Sequence, residues 1–151
     1  MRRARWRRRG RRTCCGLMYT SHAAIPHLVK AAADGPRQVA DIVNVGSLSG
    51  LNAYAMQATY CATKFGVGAF SEALRQEVAR RHVRVSVVEP GSVDTELRSH
   101  NSDIVQQQLA AVMGGIERLQ SQDVAESIGF IVTRPRHVAV AEVLVRPTEQ
   151  V

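Results

Sequence analysis

The chain has 151 residues, 45% of them hydrophobic, and a formal charge of +7. That length suits one domain with a real core, and without a run of about 18 apolar residues no transmembrane helix is expected. The charge is local: Arg2, Arg3, Arg5, Arg7, Arg8, Arg9, Arg11 and Arg12 supply eight of the 20 basic residues, which leaves 12 basic against 13 acidic residues in the body.

Residues 1–15 therefore read as a basic, disordered, self-repelling tail ahead of a domain over 16–151. A phosphate-binding arm is the functional alternative, because clustered arginines release counterions from nucleic acid. A targeting peptide fits less well, since the run lacks serine and amphipathic period. A twin-arginine signal at Arg11-Arg12 lacks the apolar stretch that should follow. Nucleic acid is not an expected partner. Cys14, Cys15 and Cys61 have no metal-ligand spacing, and their odd number without a signal peptide points to a reducing, cytoplasmic setting.

In chain order, Leu17 to Ala33 predicts a helix, bent at Pro26 and stopped by Asp34-Gly35-Pro36. Val39 to Val45 is short, apolar and β-branched, as in a buried parallel strand. Gly46 to Met56 is a small-residue loop. A long helix runs from Ala58 or Thr59 to Arg80, and His82 breaks it. Val83 to Val88 is a second buried strand, ended by Glu89-Pro90-Gly91. Ser92 to Gln120 is polar and irregular, with a helix predicted over Val105 to Met113 and a hinge at Gly114-Gly115. Ser121 or Asp123 should cap a helix to about Val132, Pro135 stops it, and Val140 to Val145 is the third strand. Alternating helices and strands predict an α/β fold with a parallel sheet covered on both faces.

Chemistry concentrates after the first strand. Tyr60 and Lys64 stand at i and i+4, on one helix face. A phenol has a reference pKa near ~10, and an ammonium beside it favours the phenolate. Such a pair can exchange a proton with a carbonyl or alcohol oxygen. Ser47, on the loop leaving the strand, can hydrogen-bond the same oxygen. A Tyr-x-x-x-Lys pair by itself is common on solvated helix faces, so the preceding Val45-Gly46-Ser47 and the small residues Ala58, Ala62, Gly66, Gly68 and Ala69 carry part of the weight. They read equally as helix-on-sheet packing.

Other patterns are weaker. Gly46-Ser47-Leu48-Ser49-Gly50 has Leu48 where a hydrolase nucleophile elbow needs serine. The five histidines show no metal spacing, and no metal site is expected. Glu89 reads as strand-end polarity.

Asn44-Val45-Gly46-Ser47-x-x-Gly50, Tyr60-x-x-x-Lys64 and Pro90-Gly91-Ser92-Val93-Asp94-Thr95, in this order, resemble the C-terminal part of the short-chain dehydrogenase/reductase family over residues 16 to 147. The resemblance implies an incomplete Rossmann-like, doubly wound parallel sheet of about three strands. It implies an NAD(P)-dependent oxidoreductase moving hydride between a nicotinamide and an alcohol or carbonyl substrate. Ser47 would orient the carbonyl, Tyr60 would be the acid/base, and Lys64 would lower the tyrosine pKa and hold the nicotinamide ribose. Val45, Pro90, Gly91, Val93 and Thr95 would border the nicotinamide, and the long helices 17–33 and 59–80 would form a homo-oligomer. The ending from Arg134 to Thr148 looks most like the members acting on small hydroxy acids or aldehydes.

Two departures qualify this reading. The glycine-rich pyrophosphate turn is missing, and Gly66-Val67-Gly68 lies inside the long helix. Thr13 stands where the family places a fourth catalytic residue, an asparagine. The expectation is a truncated chain whose turnover as written is in question, with the strand at 39–45 left as an apolar edge. The alternative is a non-catalytic remnant that partners full-length relatives.

Overall fold

The computed structural model describes residues 11–96 and 114–150. The arginine tail up to residue 10 and the helix predicted over Val105 to Met113 lie outside the described residues.

Helix α1 spans Gly16–Asp34. Leu17, Ser21, Ile25, Leu28 and Ala32 recur every three or four residues and form its less exposed face. The chain leaves it through Gly35 and Pro36, as predicted, and Pro26 lies within it. Arg11–Cys15, assigned to the tail on sequence, form a π-helical turn that runs directly into α1.

Strand β1, Ala40–Val45, pairs in parallel with β2, Val83–Pro90, and β2 pairs in parallel with β3, Glu142–Val145. The sheet order is β1-β2-β3. Every residue of the central strand is buried, its valines together with the polar Arg84, Ser86 and Glu89. Among the described residues, β1 lies at one edge of the sheet and β3 at the other.

Helix α2, Ala58–Val78, connects β1 to β2 and buries Cys61, Val67, Ser71, Leu74 and Val78 as one stripe. A 3-10 turn, Ala79–Arg81, follows it. His82, with φ of 58°, adopts the left-handed conformation that ends the helix and starts β2. The core joins Leu74 and Val78 of α2 to Val83 and Val85 of β2, with Ile25, Leu28 and Val29 of α1 packed against them.

Helix α3, Ser121–Val132, lies on the opposite face. Its N-cap is Gln120 rather than Ser121 or Asp123. Asp123 acts from the first turn, where its carboxylate accepts the Gln120 N–H at 2.7 Å. Arg84, one residue out of phase with the core side of β2, points to this face. It bonds Asp41 of β1 at 2.7 Å and donates to the carbonyls of Arg134 and Pro135 at 3.1 Å and of Val138 at 2.6 Å. One buried guanidinium thus fastens the loop after α3 to two strands. Helices cover both faces, as the alternation predicted.

Candidate functional site

The carboxyl ends of β1 and β2 lie side by side, because Val45 pairs with Val88. In open α/β sheets the crevice outside such ends is where ligands bind. Four of the expected site residues gather there.

Ser47 is the first residue beyond β1 whose side chain can act, and it caps a 3-10 turn over Leu48–Gly50. Its Oγ accepts the Ser49 N–H at 3.2 Å. That contact occupies a lone pair and leaves the hydroxyl proton to be donated elsewhere. Tyr60 and Lys64 lie on the first turns of α2, both half-buried. The Lys64 Nζ stands 5.8 Å from the centre of the Tyr60 ring and donates to the Val45 carbonyl at 3.0 Å. The i, i+4 pairing inferred from the sequence is therefore tied back to the strand end that carries Ser47.

Burial drives the Lys64 ammonium below its usual pKa, and the nearby Glu89 carboxylate partly opposes this. Glu89 is 2% exposed. Burial raises its pKa, the Ser47 amide opposes the rise, and Glu142 reinforces it. Its carboxylate accepts the Ser47 N–H. In place of the strand-end polarity expected of it, Glu89 is a buried acceptor. The signal was present: Glu89 continues the two-residue alternation of Val85 and Val87, which face α2.

The second motif is placed next to the first. Pro90 is the last residue of β2 and is buried. Gly91 N–H bonds the Val145 carbonyl at 2.7 Å, and Ser92 N–H bonds Gln150 Oε1 at 2.8 Å. A Cβ on Gly91 would stand 2.8 Å from Arg146 Cβ, so only glycine fits against the chain after β3. Val93 forms an isolated parallel bridge with Leu119. Thr95 is exposed just beyond it.

The residues present fit the nicotinamide and ribose end of a dinucleotide. Val45 is 49% exposed at the strand end, beside a hydroxyl, a phenol and an ammonium. Among the described residues no glycine-rich turn is placed for the pyrophosphate: Gly66 and Gly68 lie within α2, and β1 is preceded by α1.

Residues 1–105 match the family model for short chain dehydrogenase. The chain belongs to the short-chain dehydrogenase family. It is 36% identical over 135 residues to an uncharacterized oxidoreductase of Mycobacterium tuberculosis, covering 89% of this chain and 51% of that one. It is 35% identical to the human dehydrogenase/reductase SDR family member 11 over 114 residues, 73% of this chain and 44% of the relative. The NADP-dependent 3-hydroxy acid dehydrogenase of Schizosaccharomyces pombe is 34% identical, over 89% of this chain and 50% of its own length. The chain thus spans about half the length of the curated relatives it matches. Among solved structures, the closed form of a serine dehydrogenase complexed with NADP+ superposes with a TM-score of 0.75 at 29% identity, covering 90% of this chain and 53% of that one. A 3-ketoacyl-(acyl-carrier-protein) reductase from Brucella melitensis reaches a TM-score of 0.82 at 23% identity, over 100% and 60% of the two chains, and supports the Rossmann-like fold.

Proposed function

We propose that the site performs NAD(P)-dependent hydride chemistry on an alcohol or carbonyl, with Ser47, Tyr60 and Lys64 as its working groups. One observation carries this reading: the Lys64 ammonium bridges the Tyr60 ring and the Val45 carbonyl at the carboxyl end of β1. Family membership supplies the reaction class, and the serine dehydrogenase with NADP+ supports the cofactor class.

A bound nicotinamide would supply the hydride for reduction, or accept it for oxidation. Ser47, its acceptor side engaged by Ser49, donates its hydroxyl proton to the substrate oxygen and fixes the carbonyl's orientation. Tyr60 gives its phenolic proton to that oxygen as it becomes an alcohol, and takes it back in the reverse direction. The Lys64 ammonium stabilises the phenolate left behind and offers a donor to the cofactor ribose. Val45, Pro90, Gly91, Val93 and Thr95 would border a bound nicotinamide. Three cysteines without disulfide partners suit the reducing cytoplasm, and among the described residues no helix is long and apolar enough to cross a membrane.

The test is turnover of the purified chain with NADPH or NADH and small aldehydes, ketones or hydroxy acids. Tyr60→Phe should abolish any activity found, and undiminished activity in that variant would sink the proposed role of Tyr60.

The other reading, a subunit partner of full-length relatives or of itself, is favoured by Met18 and Tyr19 of α1 and Phe65 of α2. They are 46%, 76% and 43% exposed. Their helices should then associate, and a monodisperse monomer in sedimentation at micromolar concentration would argue against this.

A further inference from the structure

Glu89 has a place built for it. Its side chain leaves β2 on the α2 side and ends over the turn that carries Ser47. Gly46 makes the room for its carboxylate, and Gly50 and Gly68 stand in ordinary contact with it. A Cβ on Gly46 would overlap the carboxylate itself; one on Gly50 would stand 3.4 Å from Oε2, and one on Gly68 4.0 Å from Oε1. Gly50 is constrained by the Lys64 carbonyl, which a Cβ there would meet at 3.0 Å. The Ser47 N–H points at this carboxylate, while the Ser47 hydroxyl receives Ser49 N–H from the next turn. The same carboxylate borders a cavity of about 360 Å3 lined also by Gly50, Phe65, Gly68, Ser71 and Glu142.

We infer that Glu89 is a positioning residue for Ser47, holding the serine's amide at the strand end and so setting the direction of its hydroxyl. The inference rests on the role of Ser47 proposed above. A carboxylate accepting a backbone N–H makes a charge-assisted bond, stronger than any uncharged acceptor gives. The turn is therefore held most firmly when Glu89 is ionised. Two further charges facing it set when that happens: Lys64 from α2 favours the ionised form, and Glu142 from β3 disfavours it. Glu72 of α2 lines the same cavity but is engaged by Arg75 and Gln76. The Leu48–Gly50 turn adds no charged side chain.

The experiment is a pH titration of the 15N-labelled full chain, following the Ser47 amide by NMR. The Ser47 resonance should shift in one step whose midpoint lies above the ordinary glutamate pKa of about 4.3. Glu89→Gln, which keeps shape and an acceptor, should lose that step while retaining a folded spectrum. Glu89→Asp should restore a step with a changed midpoint, which space-filling alone would not produce. A Ser47 amide without a step in the unmodified chain would overturn the inference whether or not the variants fold. A step that persists unchanged in Glu89→Gln would overturn it equally. Neither result touches the dehydrogenase reading, which stands or falls with Tyr60→Phe.

Discussion

Replacing Arg84 with Met should cost this fold more than any surface substitution. Arg84 and its partner Asp41 have side chains only 7% and 9% exposed, and they meet at 2.7 Å. Three backbone carbonyls of the loop after α3 receive the Arg84 Nη1 as well. Met fills similar volume but leaves the Asp41 carboxylate buried without its main partner. Removing one member of a buried pair typically costs about 3–5 kcal/mol. Arg37 lies 3.5 Å from the other Asp41 oxygen and is itself 53% exposed, so it can move in as partial compensation. The lower end, about 3 kcal/mol, is therefore expected. Against a total stability on the order of 5–15 kcal/mol, that raises the unfolded population roughly a hundredfold. Urea denaturation followed by far-UV circular dichroism measures it, as a lower midpoint at unchanged slope. The double variant Asp41→Leu/Arg84→Met should recover much of the loss, because an apolar pair leaves no buried charge. A single-variant loss below about 1 kcal/mol would place the pair among idle surface salt bridges and refute the reasoning.

Two further predictions concern charge at the site. In the native state Lys64 holds its proton less tightly than in the unfolded chain, where the value is 10.5. Stability should consequently rise with pH between the lowered value and 10.5; NMR of 13C-labelled lysine side chains reads the midpoint, and one at or above the unfolded value would contradict the burial argument. Glu89 has the opposite sign, since its native state holds the proton more tightly than the unfolded value of 4.5 allows. Its contribution is therefore full below 4.5 and is lost as pH rises through the raised native value. Glu89→Gln should remove that component from a plot of stability against pH, and an unaltered plot would count against a buried Glu89.

Much of the fold was readable because it rests on local rules. Val83, Val85, Val87 and Val88 supply the β-branched residues of a strand covered on both faces, and the α2 stripe from Cys61 to Val78 repeats with helical period. Gly35-Pro36 and His82 end their helices where backbone chemistry demands. The cap of α3 is Gln120, one residue before Ser121 and three before Asp123, because Asp123 works from inside the first turn, and a side chain's capping partner is chosen by geometry that sequence position does not specify.

Spacing puts Tyr60 and Lys64 on one helix face, and motif order points to the short-chain dehydrogenase family to which the chain belongs. Only the tertiary structure decided what surrounds them. Lys64 reaches Val45 across 19 residues, Glu89 reaches Ser47 across 42, and Arg84 reaches Val138 across 54. Such contacts join residues brought together by sheet register and helix packing, and no local periodicity encodes them. A charged residue inside an apolar strand announces that it needs a partner; which partner it finds is settled by the fold.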